Sequence, residues 1–434
     1  MENKKHEKIL IIGAGGGREH AVGWKIAQSE RCGKLFFARG NAGTAELGEN
    51  LDLKETDLPA LLNFAKTEKI DLTLALSDDP LALGIVDLFQ KEGLRIWGPS
   101  KAAAKLEWSK AYAKEFMKQH HLPTATFETF TDFNKAKEYI EARALPIVIK
   151  ASGLALGKGV VIAQTKEEAL ATLESFMVKK VFGPAGEEIV IEEYLKGPEV
   201  SIHAFSDGKN YAMFPPAQDH KRIGENDTGP NTGGMGSVAP VSSLPGSLLR
   251  KIENEVVAPT FSAMSSEGNP FSGVLFPGLM LTEHGHVPKI LEFNARLGDP
   301  ETQTYMRILE TDLLDIIDAC IDGTLEKLEV KWKDRFACTV VLASGGYPGE
   351  HEKGKVITGV KEADKHNHVV IFHAGTRMEE GQLVTNGGRV LGVSATGHTL
   401  EEALSIAYEA IGRIHFEGMQ YRRDIGKKVL IMLR

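Results

Sequence analysis

Over the first hundred residues, short apolar runs alternate with stretches of helical spacing. The runs at 8–12, 35–38, 71–76 and 95–97 predict strands, and the patterns at 19–28, 58–68 and 81–92 predict helices. Strands alternating with helices of about ten residues imply an α/β unit with a doubly wound parallel sheet. Gly98-Pro99-Ser100 punctuates its end. An Ala- and Lys-rich helix is expected at 101–119. A β-loop-β-α-β block follows, with strands at 144–150, 160–163 and 188–194 and a helix at 167–177. Residues 219–236 show no periodicity and read as a long functional loop. A helix at 247–266, strands at 273–281 and 287–293, and a helix at 300–321 complete the larger block. Beyond residue 336 the texture is β-rich, with strands at 337–342, 356–357, 369–373 and 390–395 before a helix at 400–414.

The chain of 434 residues exceeds one ordinary core, so several domains are expected. A net charge of −8 offers no basic excess to hold nucleic acid. No apolar stretch is long enough for a membrane span, and the polar start leads directly into a strand. Cys32, Cys320 and Cys338 lack metal spacing and suit a reducing compartment. A cytoplasmic enzyme acting on small molecules is the expectation, without nucleic-acid or membrane partners.

The most informative segment runs from Glu292 to Glu301. Glu292 and Asn294 stand two apart on a strand, so they share a face while Phe293 points the other way. Two hard oxygen donors suit Mg²⁺, which takes few protein ligands and keeps room for phosphate oxygens. Arg296 is an anion clamp nearby; a surface pair between Glu292 and Arg296 is the plainer alternative.

Gly13-Ala14-Gly15-Gly16-Gly17-Arg18 follows the first strand and opens a helix. Arg18 occupies the third glycine position of a dinucleotide fingerprint, and Ala38-Arg39 stands where an acid is expected, which argues against NAD. An anion cradle remains, joined by Asn41, Gly43 and Thr44 at the end of the second strand. Lys150 ends a strand before the loop holding Lys158, two cations for phosphates. Glu192, Glu193 and Leu195 end an apolar strand that can meet adenine, and Glu199 can take ribose hydroxyls. Asp219, Lys221, Arg222, Asp227, Thr228, Asn231 and Gly233 mix charge with close-approach glycines, which suits a substrate loop.

These motifs, in order, are GGREHA from Gly16, GNAGT from Gly40, GKGV from Gly157, QDHKR from Gln218, DTGPNTGGMG from Asp227, GDPETQ from Gly298, HAGT from His373 and TNGGRVL from Thr385. Together they resemble the phosphoribosylamine–glycine ligase (glycinamide ribonucleotide synthetase) family of ATP-grasp enzymes over nearly the full length. The resemblance implies an N-terminal substrate domain at 1–106, an ATP-grasp domain at 107–330 with a small α+β lid at about 123–196, and a C-terminal α+β domain at 331–434. It implies ATP as a substrate, with Mg²⁺ or in its place Mn²⁺ on Glu292 and Asn294. Lys150, Lys158, Glu192, Glu193, Leu195 and Glu199 would bind ATP, while Arg296, Asp219 and Lys158 would serve catalysis. Gly17, Arg18, Glu19, Asn41, Gly43, Thr44, Asp78, Lys221, Arg222, Asp227, Thr228, Asn231, Gly233 and Arg296 would bind the other substrates.

The implied reaction activates glycine as glycyl phosphate and transfers it to 5-phosphoribosylamine, in purine biosynthesis. The enzyme would be a monomer or a weak homodimer. Three positions depart from the family pattern. The first loop carries one extra residue, Leu76-Ser77-Asp78 replaces Gly-Pro-Glu, and Ser152 stands where an acid is usual. The change at Asp78 motivates an alternative, a ligase of this type acting on another phosphorylated amine.

Overall fold

The computed structural model describes residues 6–155 and 159–432. Lys158, expected at the phosphates, lies outside the described residues, as does Gly157.

The first unit is a parallel sheet ordered Glu49–Asn50, Cys32–Ala38, Glu7–Ile12, Leu72–Ala75, Ile96–Trp97. Chain order reverses beside the strand Glu7–Ile12. Ligand crevices of open α/β sheets form at such a point, beyond the carboxyl ends of the strands. The glycine loop, the segment from Arg39 and Leu76-Ser77-Asp78 all leave the sheet at those ends. The helix expected at 81–92 is two helices, Asp78–Leu83 and Ile85–Lys91, because Gly84 takes a left-handed conformation at φ +93°.

The Ala/Lys-rich helix is also interrupted. Its pieces, Lys105–Trp108 and Lys110–Gln119, are separated by Ser109 at φ −130°. The Ser109 hydroxyl accepts a bond from the Tyr112 amide and starts the second piece as an N-cap. The freed amide of Lys110 donates to the Ser152 carbonyl at 2.7 Å, tying this helix to the next sheet.

That sheet is antiparallel and runs Phe127–Phe130, Ile189–Glu193, Ile147–Ala151, Val160–Ala163. Helices Phe133–Ala142 and Lys166–Leu173 close over it, and Ile140, Ile149, Leu173 and Ile191 form a core of its own. The strand Phe127–Phe130 and the helix Phe133–Ala142 at its start were not anticipated.

Strand Ser272–Thr282 is central to a second antiparallel sheet and pairs with Val287–Asn294. A register shift between Gly278 and Leu279 faces Glu292 and re-aims this strand end, as bulges do beside functional sites. Residues 219–236 are not an unstructured loop: strands Arg222–Gly224 and Thr228–Asn231 form a hairpin around Asn226 and Asp227, both at φ 55°. The helix expected at 300–321 is two, Glu301–Ile308 and Leu313–Asp322, because Asp312 caps the second through the Leu314 amide at 2.9 Å.

The last sheet runs Gln218–Asp219, Gly236–Ala239, Phe336–Ala343, Arg389–Gly397, Val369–His373. Its first two strands come from the central block, so the C-terminal region shares its sheet with the substrate loop. Residues 356–357 form only a bridge from Val356 to Val384. The hairpin Thr376–Glu379 with Gln382–Thr385 was not anticipated; its short strands, TRME and QLVT, show no clean apolar–polar alternation.

Candidate active site

The strand Val287–Asn294 builds the site because its alternation is strict at the end. Phe293 is buried in the core while Glu292 and Asn294 emerge together on the other face. Glu292 does not pair with Arg296. The Arg296 guanidinium instead meets the buried Glu107 at 2.7 Å, and it also reaches the Asn294 side-chain oxygen at 3.4 Å and the Leu297 carbonyl at 3.2 Å. Glu107 in turn accepts the Ala295 amide at 2.9 Å. Burial pushes the Glu107 carboxyl up, and Arg296 opposes that shift. Arg296 keeps one buried N–H, on Nε, without a partner.

Around Glu292 the field is cationic. Lys221 Nζ lies 3.7 Å from Glu292 and 3.4 Å from Glu199. Burial would raise the Glu292 pKa, but Lys221, Lys150, Lys110 and Arg296 outweigh it and bring it down to about 2. The same proximity to Glu199, then Glu292, raises Lys221. An ionised carboxylate beside an amide oxygen is the donor set a hard divalent ion requires. Among the described residues no group of three or more His, Cys, Asp or Glu side chains is set to hold a metal ion.

Lys150 is shared between two sheets. Its Nζ meets Glu192 at 2.7 Å and the carbonyl of Leu291, next to Glu292, at 3.0 Å. The other Glu192 oxygen is held by Lys114 at 2.9 Å. Glu193 accepts the Thr126 amide, and Glu199 is exposed beside Lys221. The strand Ile189–Glu193 thus brings Glu192, through Lys150, and Glu193, near Lys289, to the strand Val287–Asn294, while Leu195 follows beyond its end.

The glycine loop is stitched by Glu19. Buried at 1% exposure, Glu19 accepts the Gly16 amide at 2.7 Å and two N–H groups of Arg18. A Cβ on Gly13 would collide with this carboxylate, which explains that glycine. Arg18 also donates to the Leu297 carbonyl, joining the loop to the ligand segment. Asn41 and Thr44 spend their side chains locally. Asn41 accepts the Gly43 and Thr44 amides and donates to the carbonyls of Gly15 and His373, and Thr44 bonds Asn41 and Asn50. They shape the loop rather than point out of it. Asp78 opens its helix and acts on Glu107 and Arg296 electrostatically.

Asp219 faces Glu301. Burial and Glu301 push the Asp219 carboxyl well up, while burial also raises Glu301, which accepts the Ser201 hydroxyl at 2.9 Å. Gly234, at φ +110°, lets the backbone pass Asp219 and Pro300 where a side chain would clash. The Gly233 carbonyl accepts from Arg389, which also bonds the Asp299 carbonyl at 2.7 Å.

Four members of the expected substrate set stand apart. Asp227 pairs with Arg422 at 3.0 Å and with Lys428, Thr228 bonds Glu225, and Arg222 and Asn231 pair within the hairpin.

Three sequence models of phosphoribosylglycinamide synthetase match the chain: the N domain over 7–107, the ATP-grasp (A) domain over 108–302 and the C domain over 337–428. The phosphoribosylamine–glycine ligase of Halalkalibacterium halodurans is 47% identical over 97% of both chains. That of Chlorobaculum tepidum is 47% identical over 98% of this chain and 100% of its own. The chain belongs to the phosphoribosylglycinamide synthetase family. The crystal structure of the Thermotoga maritima phosphoribosylamine–glycine ligase superposes with a TM-score of 0.83 at 39% identity, covering 96% of this chain and 100% of that one. A biotin carboxylase from Campylobacter jejuni, at 12% identity and a TM-score of 0.74 over 100% of this chain and 96% of its own, shares the fold alone. These relatives carry one substrate name, so the alternative amine is not favoured.

Membership in an ATP-grasp ligase family brings ATP and a divalent metal with it. Sequence reasoning missed Lys110, Lys114, Glu107 and Glu301, all drawn into this cluster. The available signal was a pair of lysines four apart on a helix whose buried face holds Ala111, Ala113 and Met117.

Proposed function

We propose that the protein joins glycine to 5-phosphoribosylamine at the expense of ATP, giving glycinamide ribonucleotide, ADP and phosphate in purine biosynthesis in the cytoplasm. The observation that carries this reading is the Glu292–Asn294 pair set among Lys110, Lys150, Lys221 and Arg296, an arrangement for a triphosphate and a carboxylate on one strand tip.

Mg²⁺ suits Glu292 and Asn294, with Mn²⁺ an acceptable substitute; when bound it would offset phosphate charge. Lys150 and Lys110 hold the polyphosphate, and the family resemblance adds Lys158, which lies outside the described residues. Glu193 and Leu195 border adenine, and Glu192 keeps lone pairs for its amino group beyond the two lysine contacts. Glu199 takes the ribose. The sheet unit at about 123–196, with its separate core, serves as the lid that excludes water from the mixed anhydride.

The glycine carboxylate attacks the γ-phosphorus and ADP leaves. The amine nitrogen of phosphoribosylamine then attacks the acyl carbon of glycyl phosphate, and phosphate leaves with the acyl C–O bond pair. The unpartnered N–H of Arg296 is placed for the glycine carboxylate. Burial and Glu301 push the Asp219 carboxyl well up, which makes its ionised form a stronger base and a candidate to accept the proton the amine loses. The backbone of the Gly13–Gly17 loop and of Asn41 to Thr44 cradles the sugar phosphate. No protein nucleophile is needed; positioning and charge neutralisation do the chemistry.

The test is ADP release followed with each component omitted. Release that needs glycine, phosphoribosylamine and Mg²⁺ together is expected. Full release without phosphoribosylamine, or turnover only with another phosphorylated amine, overturns the assignment.

A further inference from the structure

Lys114 has 2% of its side chain exposed, and its charge is spent on Glu192, itself 2% exposed, at 2.9 Å. Burial lowers the Lys114 ammonium to about 8, with Glu192 opposing the shift. Glu192 already has a second cation, Lys150, at 2.7 Å on its other oxygen. Two lysines for one carboxylate is an excess that stability does not explain, because each buried ion costs several kcal/mol to desolvate. Lys114 also donates to the Thr124 hydroxyl at 2.7 Å, which donates to the Ile290 carbonyl at 2.7 Å on the ligand strand. Thr124 bridges Ile290 where the chain enters the small four-stranded sheet. Lys114 therefore sits at the junction of helix, small sheet and ligand strand.

The two lysines differ in what lies beyond them. Lys150 also donates to the Leu291 carbonyl beside Glu292, the strand end where the ATP reading puts the phosphates. Lys114 forms no second salt bridge among the described residues, although Glu292 also raises it electrostatically. If Lys150 turns to a phosphate, Glu192 loses a partner. Breaking a buried ion pair by removing one side is strongly destabilising when nothing replaces it. With Lys114 in place the carboxylate stays compensated.

We propose that Lys114 is a positioning residue that keeps Glu192 neutralised so that Lys150 is free to engage the nucleotide's phosphates. The inference rests on the ATP reading above and deepens it. Lys114 does not touch the nucleotide; it sets how readily Lys150 changes partner. Without Lys114, Glu192 depends on Lys150 alone and withholds it from phosphate. With Glu192 neutral, Lys114 has nothing to compensate and its loss is silent.

The experiment measures ADP and adenosine affinity by calorimetry, with Mg²⁺, for the full chain, Lys114→Met, Glu192→Gln and the double variant. Lys114→Met is expected to weaken ADP by about tenfold or more and to leave adenosine within about twofold, while in the Glu192→Gln background it changes ADP by less than about threefold. Unchanged ADP affinity in Lys114→Met, equal losses for adenosine and ADP, or the same loss in both backgrounds overturns the proposal. Should Lys114→Met not fold, the two Glu192→Gln proteins decide, equal ADP affinities supporting it and a tenfold gap sinking it. A wild-type protein that binds no ADP removes the ATP reading itself, a result distinct from all of these.

Discussion

Replacing Glu292 by Gln tests the charge balance of the site before any substrate arrives. The carboxylate is held at about 2 against an ordinary 4.5 because Lys221, Lys150, Lys110 and Arg296 outweigh its burial. At about 1.4 kcal/mol per pH unit, that depression corresponds to about 3 kcal/mol of stability. A third of the side chain faces solvent, and screening reduces the value to on the order of 1–2 kcal/mol. A depressed carboxylate stabilises above its unfolded pKa and loses that contribution as pH falls from about 4.5 towards 2. Glu292→Gln is therefore less stable than wild type by about 1–2 kcal/mol at pH 7, and the gap narrows below pH about 4.5. Urea unfolding of both proteins at pH 7 and pH 3.5, without nucleotide or metal, measures it. The substitution also removes the charged member of the proposed metal pair, so Mg²⁺ should no longer tighten ADP binding and turnover should fall by about a hundredfold or more. A Glu292→Gln protein as stable as wild type at pH 7 would mean that the lysines do not lean on this carboxylate. Retained Mg²⁺ dependence would remove it from the metal site.

Asp227→Asn should lower stability by about 1–3 kcal/mol, since Arg422 is buried and keeps only Asp424 as a charged partner, yet change kcat/KM less than about threefold; steady-state kinetics showing a large KM effect would return Asp227 to the substrate site. Ser109→Ala should cost about 1 kcal/mol in urea unfolding by removing the cap that restarts its helix; an unchanged midpoint would show that the Lys110 amide alone holds the break. His20 is brought down to about 3 by burial and then His373, and burial brings His373 to about 4. A neutral buried imidazole must charge on unfolding, so stability should fall as pH drops from about 6.5 towards 4, and His20→Gln should flatten that slope; a pH-independent midpoint across that range would refute it.

Much of the site was legible where one local rule decided it. Glu292 and Asn294 could be placed because strand alternation is strict and Phe293 fixes the phase. The glycine loop could be read as an anion cradle because Arg18 and Ala38-Arg39 break the dinucleotide pattern. What stayed hidden depends on partners far along the chain. Glu107 reads as a surface acid until Arg296, 189 positions later, arrives beside it. Asp227 read as a substrate ligand because its segment mixes charge with close-approach glycines, while its partner Arg422 is 195 positions away. The broken helices at Ser109 and Asp312 were missed for a related reason. Each cap residue is tolerated within a helical pattern, and only the tertiary bonds of the freed amides make the break favourable.

The same partner logic explains why the site can be so cationic and still fold. Lys110, Lys114, Lys150, Lys221 and Arg296 converge on a few carboxylates, each assigned to a specific cation: Glu107 to Arg296, Glu192 to Lys114 and Lys150, Glu199 and Glu292 to Lys221. Bringing like charges together is tolerable only because every one has a counter-ion or a carbonyl in reach. A triphosphate entering this cluster does not meet bare cations; it competes with carboxylates already there. Binding is then an exchange of partners, and its cost is set by what each displaced carboxylate falls back on. On the proposed assignments Glu292 would fall back on the metal that accompanies the nucleotide and Glu192 on Lys114, whereas Glu107 holds the Arg296 guanidinium and leaves its Nε hydrogen without a partner. On that reading a metal-bound nucleotide should be preferred, since phosphate alone would strip Lys221 from Glu292 without supplying the cation that replaces it.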